Sequence, residues 1–210
     1  MNTYPVDFHV HTTHYSYCGH QTIDEVIAVA LERRLHAVCL TEHHFRWFEE
    51  DLHDALVRNG AYGRLVLLPG EEIAAYADDG TKQGDYLVFG VDHSLGRHDV
   101  RRLITEVHDL GGIVIAAHPM RTGYGSDEII EHLDLDGVEV YNKNHDPAQQ
   151  LQAWESTQRS GVLPLGASDA HRVQHVGMHV TYFPEPIATV GDLVDCIRNR
   201  LTRIDPVPGA

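Results

Sequence analysis

Histidines and carboxylates recur along this 210-residue chain at spacings suited to holding cations. His9 and His11 form an H-x-H pair and Asp169 and His171 a D-x-H pair, with His43, Glu71, Glu72, His93 and His118 between them. Nearly all of these positions close a short apolar or β-branched run. On an extended strand residues i and i+2 project to the same side, so each pair is aimed at one point. For the same reason only one of Glu71 and Glu72 faces inward. Burying so many ionisable groups as ordinary core residues is costly without a compensating cation. The chemistry this set suits is coordination of divalent metal by imidazole and carboxylate.

The elements that must position these groups are legible from periodicity. Strand-like runs cover 6–11, 37–43, 65–73, 86–93, 112–118, 137–142 and 163–169. Amphipathic helical patterns lie between them. The first starts at the capping box Thr22-Ile23-Asp24-Glu25 and ends near Leu35; others cover 49–58, 99–110, 147–159 and 190–201. Gly111-Gly112 and Gly161 stand where helices stop. Alternating strands and helices in one uninterrupted domain over 1–210 imply a β/α barrel or an open doubly wound sheet. The candidate ligands fall at the carboxyl ends of the strands, the rim on which β/α barrels build active sites. No Gly-rich phosphate loop follows the first strand, which counts against the nucleotide-binding open sheets.

Composition narrows the function classes. The chain has 16 basic and 31 acidic residues, a formal charge of −15, with 17 His and 3 Cys. Such a balance argues against a long nucleic-acid footprint, since Arg33-Arg34 and Arg101-Arg102 are only short basic pairs. Cys18, Cys39 and Cys196 are too scattered for a disulfide framework or a thiolate zinc knuckle. No run approaches the ~20 apolar residues of a membrane helix, and the first ten residues lack the pattern of a secretory leader. The expectation is a cytoplasmic protein without membrane attachment; the sequence leaves the oligomeric state open.

Eight short blocks, in order, resemble the PHP family (polymerase and histidinol phosphatase domains): DFHVHT at 7–12, YCGHQT at 17–22, TEHH at 41–44, PGEE at 69–72, VFGVDH at 88–93, AAHPMR at 116–121, GVEVYN at 137–142 and GASDAH at 166–171. The resemblance implies a distorted seven-stranded (β/α)7 TIM-like barrel with two or three divalent metals, Zn, Mn or Fe, at its mouth. It places one metal on His9, His11, Glu72 and Asp169. Glu72 bridges to a second, shared with His93 and His118, and His20, His43 and His171 make a third site. Some branches place a His at the start of the fourth strand, where Asp85 stands here. Asp7 and Glu42 resemble carboxylates that orient a ligand ring by accepting its other N–H. His44 is undecided.

The implied activity is a phosphoric ester hydrolase acting on a small phosphomonoester, a nucleotide or a histidinol-phosphate-like metabolite, through a metal-bound hydroxide. Asp169, Glu72 and Arg121 are the catalytic candidates, and Arg121, Arg172 and Lys143 are candidates to bind the phosphate. Only 45 residues separate Glu72 from His118, too few for an inserted domain that would thread a polymer. Two alternatives remain: an exonuclease or oligonucleotide phosphodiesterase with Tyr15, Tyr17 or Trp47 as a stacking platform, and a metallohydrolase of the amidohydrolase kind.

Overall fold

The structure is a computed structural model that describes residues 3–96, 98–121 and 127–205. In chain order the first half is β1 (Tyr4–Val10), α1 (Ile23–Glu32), β2 (Ala37–Leu40), α2 (Glu49–Arg58), β3 (Val66–Pro69), β4 (Glu71–Tyr76) and β5 (Lys82–Phe89). The second half is α3 (Val100–Asp109), β6 (Ile113–Ala117), α4 (Asp127–His132), β7 (Gly137–Tyr141), α5 (Pro147–Ser160), β8 (Leu163–Gly166), β9 (Thr181–Phe183) and α6 (Val190–Arg198), with a short 3-10 turn at Val173–His175.

Helices α1 and α5 begin at reciprocal caps legible in the sequence. Thr22 and Glu25 close a reciprocal capping box on α1, and Asp146 with Gln149 does the same on α5, which also carries Pro147 in its first turn. Gly161 ends α5 in the left-handed region at φ 77°, a conformation that costs glycine nothing.

The strands form two sheets, β3-β2-β1-β9 and β4-β5-β6-β7-β8. β1, β2 and β3 are parallel, as are β6, β7 and β8. β5 runs antiparallel to both β4 and β6, and β9 runs antiparallel to β1. The mixed α/β fold matches the sequence expectation, but the seven-strand count does not: nine strands are present among the described residues, and neither sheet closes on itself. The expected strand 65–73 breaks at Gly70 into β3 and β4, which join different sheets; a Cβ there would lie 2.3 Å from the Phe89 ring and 2.9 Å from Thr41 Cγ2, so the close approach needs glycine.

The two sheets touch at both seams through single bridges, Val10 to Ala170 on one side and His43 to Glu72 on the other. Phe8, Phe89, Ile113, Ile115, Leu165 and Phe183 fill the space between them. α1 and α2 cover one sheet, and α3 and α5 cover the other, each over its own apolar cluster. No helix among the described residues is long and apolar enough to cross a membrane.

Candidate metal centre

The strand ends of the two sheets converge on one rim. There the buried His9 of β1 and His11, just past its end, bring their Nε2 atoms to 3.0 Å of each other. Glu72 Oε2 lies 3.2 Å from His11 Nε2 and 3.6 Å from His9 Nε2; Asp169 Oδ1 lies 3.3 and 3.4 Å from the same atoms. His118 Nε2 is 3.2 Å from Glu72 Oε1, His43 Nδ1 is 2.9 Å from Glu72 Oε2, and His171 Nδ1 is 3.2 Å from Asp169 Oδ1. Three overlapping groups result: His9-His11-Asp169, His9-Glu72-His118 and His11-His43-His171.

The donor chemistry fits divalent metal. Glu72 Oε2 and Asp169 Oδ1 are fully buried and accept no hydrogen bond, although imidazole nitrogens surround them. Burial alone would raise both carboxyl pKa values. The adjoining rings of His9, His11 and their neighbours overcome that cost and hold both groups well below the usual carboxylate range. Burial opposes protonation of His9 as well, yet Glu139, Asp169 and Glu72 together raise its pKa well above the ordinary imidazole value. Ionised, unbonded oxygens facing convergent imidazoles are the arrangement a cation satisfies. His118 and Asp169 also hold positive φ, 32° and 49°. Non-glycine residues in that region are strained, and such strain gathers at functional sites.

Three side chains beneath the ligands fix their orientation. His9 Nδ1 lies 2.8 Å from Glu139 Oε1, so its other nitrogen faces the cluster. Glu139 Oε2 also accepts the His118 backbone N–H at 2.8 Å and Asn142 Nδ2 at 2.7 Å. Sequence reasoning missed Glu139; the signal was a lone carboxylate inside the apolar strand GVEVY. Glu42 acts on His11 indirectly. It accepts from Thr12, from Trp47 Nε1 at 3.0 Å and from Ser16 Oγ at 2.5 Å, and Ser16 Oγ lies 3.2 Å from His11 Nδ1.

Asp7 departs from its expected part. It touches no ligand ring; it accepts from the Ser168 N–H and hydroxyl and from the Gly177 N–H, tying β1 to the loop that carries Asp169. Burial, only partly offset by those bonds, pushes its pKa up to about 6.

Other predicted residues stand apart from the cluster. His93 was expected at the carboxyl end of a parallel strand. β5 is antiparallel, so that end points to the opposite rim; the His93 ring is 56% exposed and pairs with Asp92 at 2.7 Å. The start of β5 faces the site instead, and it brings in Asp85, paired with Lys82 at 2.8 Å. His20 is exposed; its backbone N–H donates to the His171 carbonyl at 2.8 Å, but its ring joins none of the three groups. Glu71 points away, accepting from the Leu95 N–H at 3.2 Å, and burial raises its pKa to about 7.

A cleft of about 330 Å³ opens over the cluster, with Glu72, His118, Asp169 and His171 below and Lys82, Arg121, His44 and Tyr17 around it. Arg172 is exposed and outside the cleft wall, and Lys143 is engaged by Asp169 and His171. Lys82 was missed because nothing in its local sequence distinguishes it from surface charge. Trp47 is buried, so it offers no exposed stacking face. A larger apolar cavity of about 540 Å³ lies away from these ligands, between α2, β3 and the start of α6, and none of the metal-binding groups lines it.

Known proteins share this architecture. A family described as PHP-associated matches residues 147–202, from α5 through α6. A two-domain protein from Bacteroides vulgatus containing a predicted PHP-like metal-dependent phosphoesterase superposes with a TM-score of 0.65 at 18% identity, covering 96% of this chain and 64% of that one. The chain shares its fold with that PHP-like protein. PsfC from Pseudomonas syringae resembles this chain with a TM-score of 0.67 at 20% identity over 95% of both chains. An amidohydrolase from Chromobacterium violaceum, solved with bound sulfate and no metal, gives 0.67 at 14% identity over 95% and 97%. No curated protein matches the chain in sequence.

Proposed function

We propose that the chain is a PHP-family, metal-dependent phosphoesterase that releases phosphate from a small phosphomonoester in the cytoplasm. The observation that carries the reading is the pair of unbonded carboxylate oxygens among convergent imidazoles, at the base of a cleft whose wall carries Arg121 and Lys82. Held by His9, His11, Glu72, His118 and Asp169, divalent Zn, Mn or Fe would supply activated water at neutral pH and neutralise phosphate charge. The chain does the positioning. Glu139 and the Glu42-Ser16 relay lock the His9 and His11 rings, so their free nitrogens stay aimed at the cleft floor.

Arg121 can fork onto two non-reacting phosphate oxygens, whereas Lys82 offers a point charge steered by Asp85. The buried floor keeps bulk water off the ligands, which strengthens each electrostatic contact. A cleft of about 330 Å³ accommodates a nucleotide or a phosphorylated metabolite and not a long nucleic acid.

A second reading, cleavage of short oligonucleotide diesters, has one observation in its favour. Tyr17 is 97% exposed at the cleft lip, and Tyr15 and Phe45 stack at 3.6 Å on the loops that follow β1 and β2. A substrate panel separates the readings: free phosphate from mononucleotides supports the first, and mononucleotides released from a dinucleotide support the second. Hydrolysis of a cyclic amide with no phosphoester turned over would reject both. Loss of phosphate release in Asp169→Asn and Glu72→Gln is the expected control.

A further inference from the structure

Among the three groups of ligating side chains, His11-His43-His171 alone contains no carboxylate. The carboxylate oxygens nearest to it are Glu72 Oε2, 2.9 Å from His43 Nδ1, and Asp169 Oδ1, 3.2 Å from His171 Nδ1, and both also face the other two groups. Asp169 Oδ1 faces His9, His11 and His171. Oδ2 is held at 2.8 Å by Lys143 Nζ and also accepts from Asn144 Nδ2. The same ammonium bonds the Asp169 carbonyl and lies 3.2 Å from His171 Nδ1. Lys143 lies two residues past β7, and its side chain is only 17% exposed and bonded to Asp169, so the charge is fixed in place. A divalent ion on His171 would face this positive charge at close range, and the carboxylate oxygens within its reach are ones it shares with the other two groups. His20, the residue that would complete such a site, is exposed and outside the group.

We infer that the chain holds two divalent ions, centred on His9-His11-Asp169 and His9-Glu72-His118, and that the Lys143 ammonium takes the place of a third at His11-His43-His171. This rests on the metal-centre reading above and deepens it. Lys143 is then a positioning residue: its charge neutralises Asp169 Oδ2 from the outside and leaves Oδ1 to the inner ion. The charge and not the bulk of the side chain excludes the third ion, so arginine at this position has the same effect and an uncharged chain of similar length does not.

The test is a count of bound metal, which needs no substrate. Wild type, Lys143→Met and Lys143→Arg are loaded with excess Mn, desalted and measured by elemental analysis against protein concentration, with circular dichroism as the check on folding. The expected result is two ions per chain in wild type and Lys143→Arg and three in Lys143→Met; Lys143→Gln gives the same comparison should the methionine variant fail to fold. Three ions in wild type overturn the inference, and so do two in every variant. A wild type that binds none removes the metal centre itself. A protein that binds two ions but releases no phosphate from any ester rejects only the phosphoesterase reading and leaves the ion count standing.

Discussion

Glu139 Oε1 lies 2.8 Å from His9 Nδ1, joining β7 of one sheet to β1 of the other across the floor of the site. The carboxylate makes two further bonds, to the His118 N–H and to Asn142, so one side chain orients ligands on both sheets.

Replacing Glu139 by Gln keeps the shape and removes the charge that polarises the ring. Orienting partners of this kind are worth roughly 10–100-fold in metal affinity. The expected outcome is weaker metal binding by that factor with a near-native melting curve. Competition against a fluorescent chelator measures it, and unchanged affinity would remove Glu139 from the site.

Arg121→Ala and Lys82→Ala are expected to lose phosphate recognition while retaining metal. A hydrogen bond to a charged group is worth about 1.5–3 kcal/mol, or roughly 10–150-fold in kcat/KM. Steady-state kinetics on a phosphomonoester, with metal content measured alongside, checks this. Arg172→Ala, outside the cleft wall, should leave both quantities unchanged.

His145 gives a stability prediction. Its Nε2 accepts the Met120 N–H at 3.1 Å, and its Nδ1 donates to the Val140 carbonyl at 3.0 Å, an arrangement that requires the neutral ring. Burial lowers its pKa below the ordinary value of 6.5. Below that value the unfolded chain takes up a proton that the folded one resists, so stability present above pH 6.5 declines as the pH falls toward the folded-state pKa. Urea midpoints for wild type and His145→Gln should therefore draw together between pH 7.5 and pH 5. A gap independent of pH would contradict the assignment.

Chelation is expected to destabilise the fold. Metal binds only the assembled ligands, and at a free concentration a thousandfold above Kd this linkage contributes about 4 kcal/mol. Stripping with a chelator should lower Tm by several degrees, and restoring Mn should raise it in a concentration-dependent way. Scanning calorimetry reads both steps.

Much of the site was legible because strand alternation and strand-end position are local properties. His9 with His11, and Asp169 with His171, could be placed from spacing alone. Strand direction is not local: nothing in KQGDYLVF states that β5 runs antiparallel, so His93 was assigned to the wrong rim while Asp85 and Lys82 arrived at the right one. Glu139 was obscured by the strand around it, and its partner lies 130 residues away. The three-residue β9 and the six-residue α4 are too short to carry a period. The helices were the clearest elements, since α2 begins and ends at Glu49 and Arg58 as the charge pattern and apolar spacing indicate.

The two seams carry a consequence for how the molecule holds together. His9, His11 and His43 come from the side of one sheet and Glu72, His118 and Asp169 from the other, and the backbone bridges that join the sheets at their edges are Val10 to Ala170 and His43 to Glu72. Neither sheet alone presents a complete set of ligands, so a divalent ion would be held only once both have met. A bound metal would thereby rivet the two sheets together, and its removal would weaken the contacts along both seams.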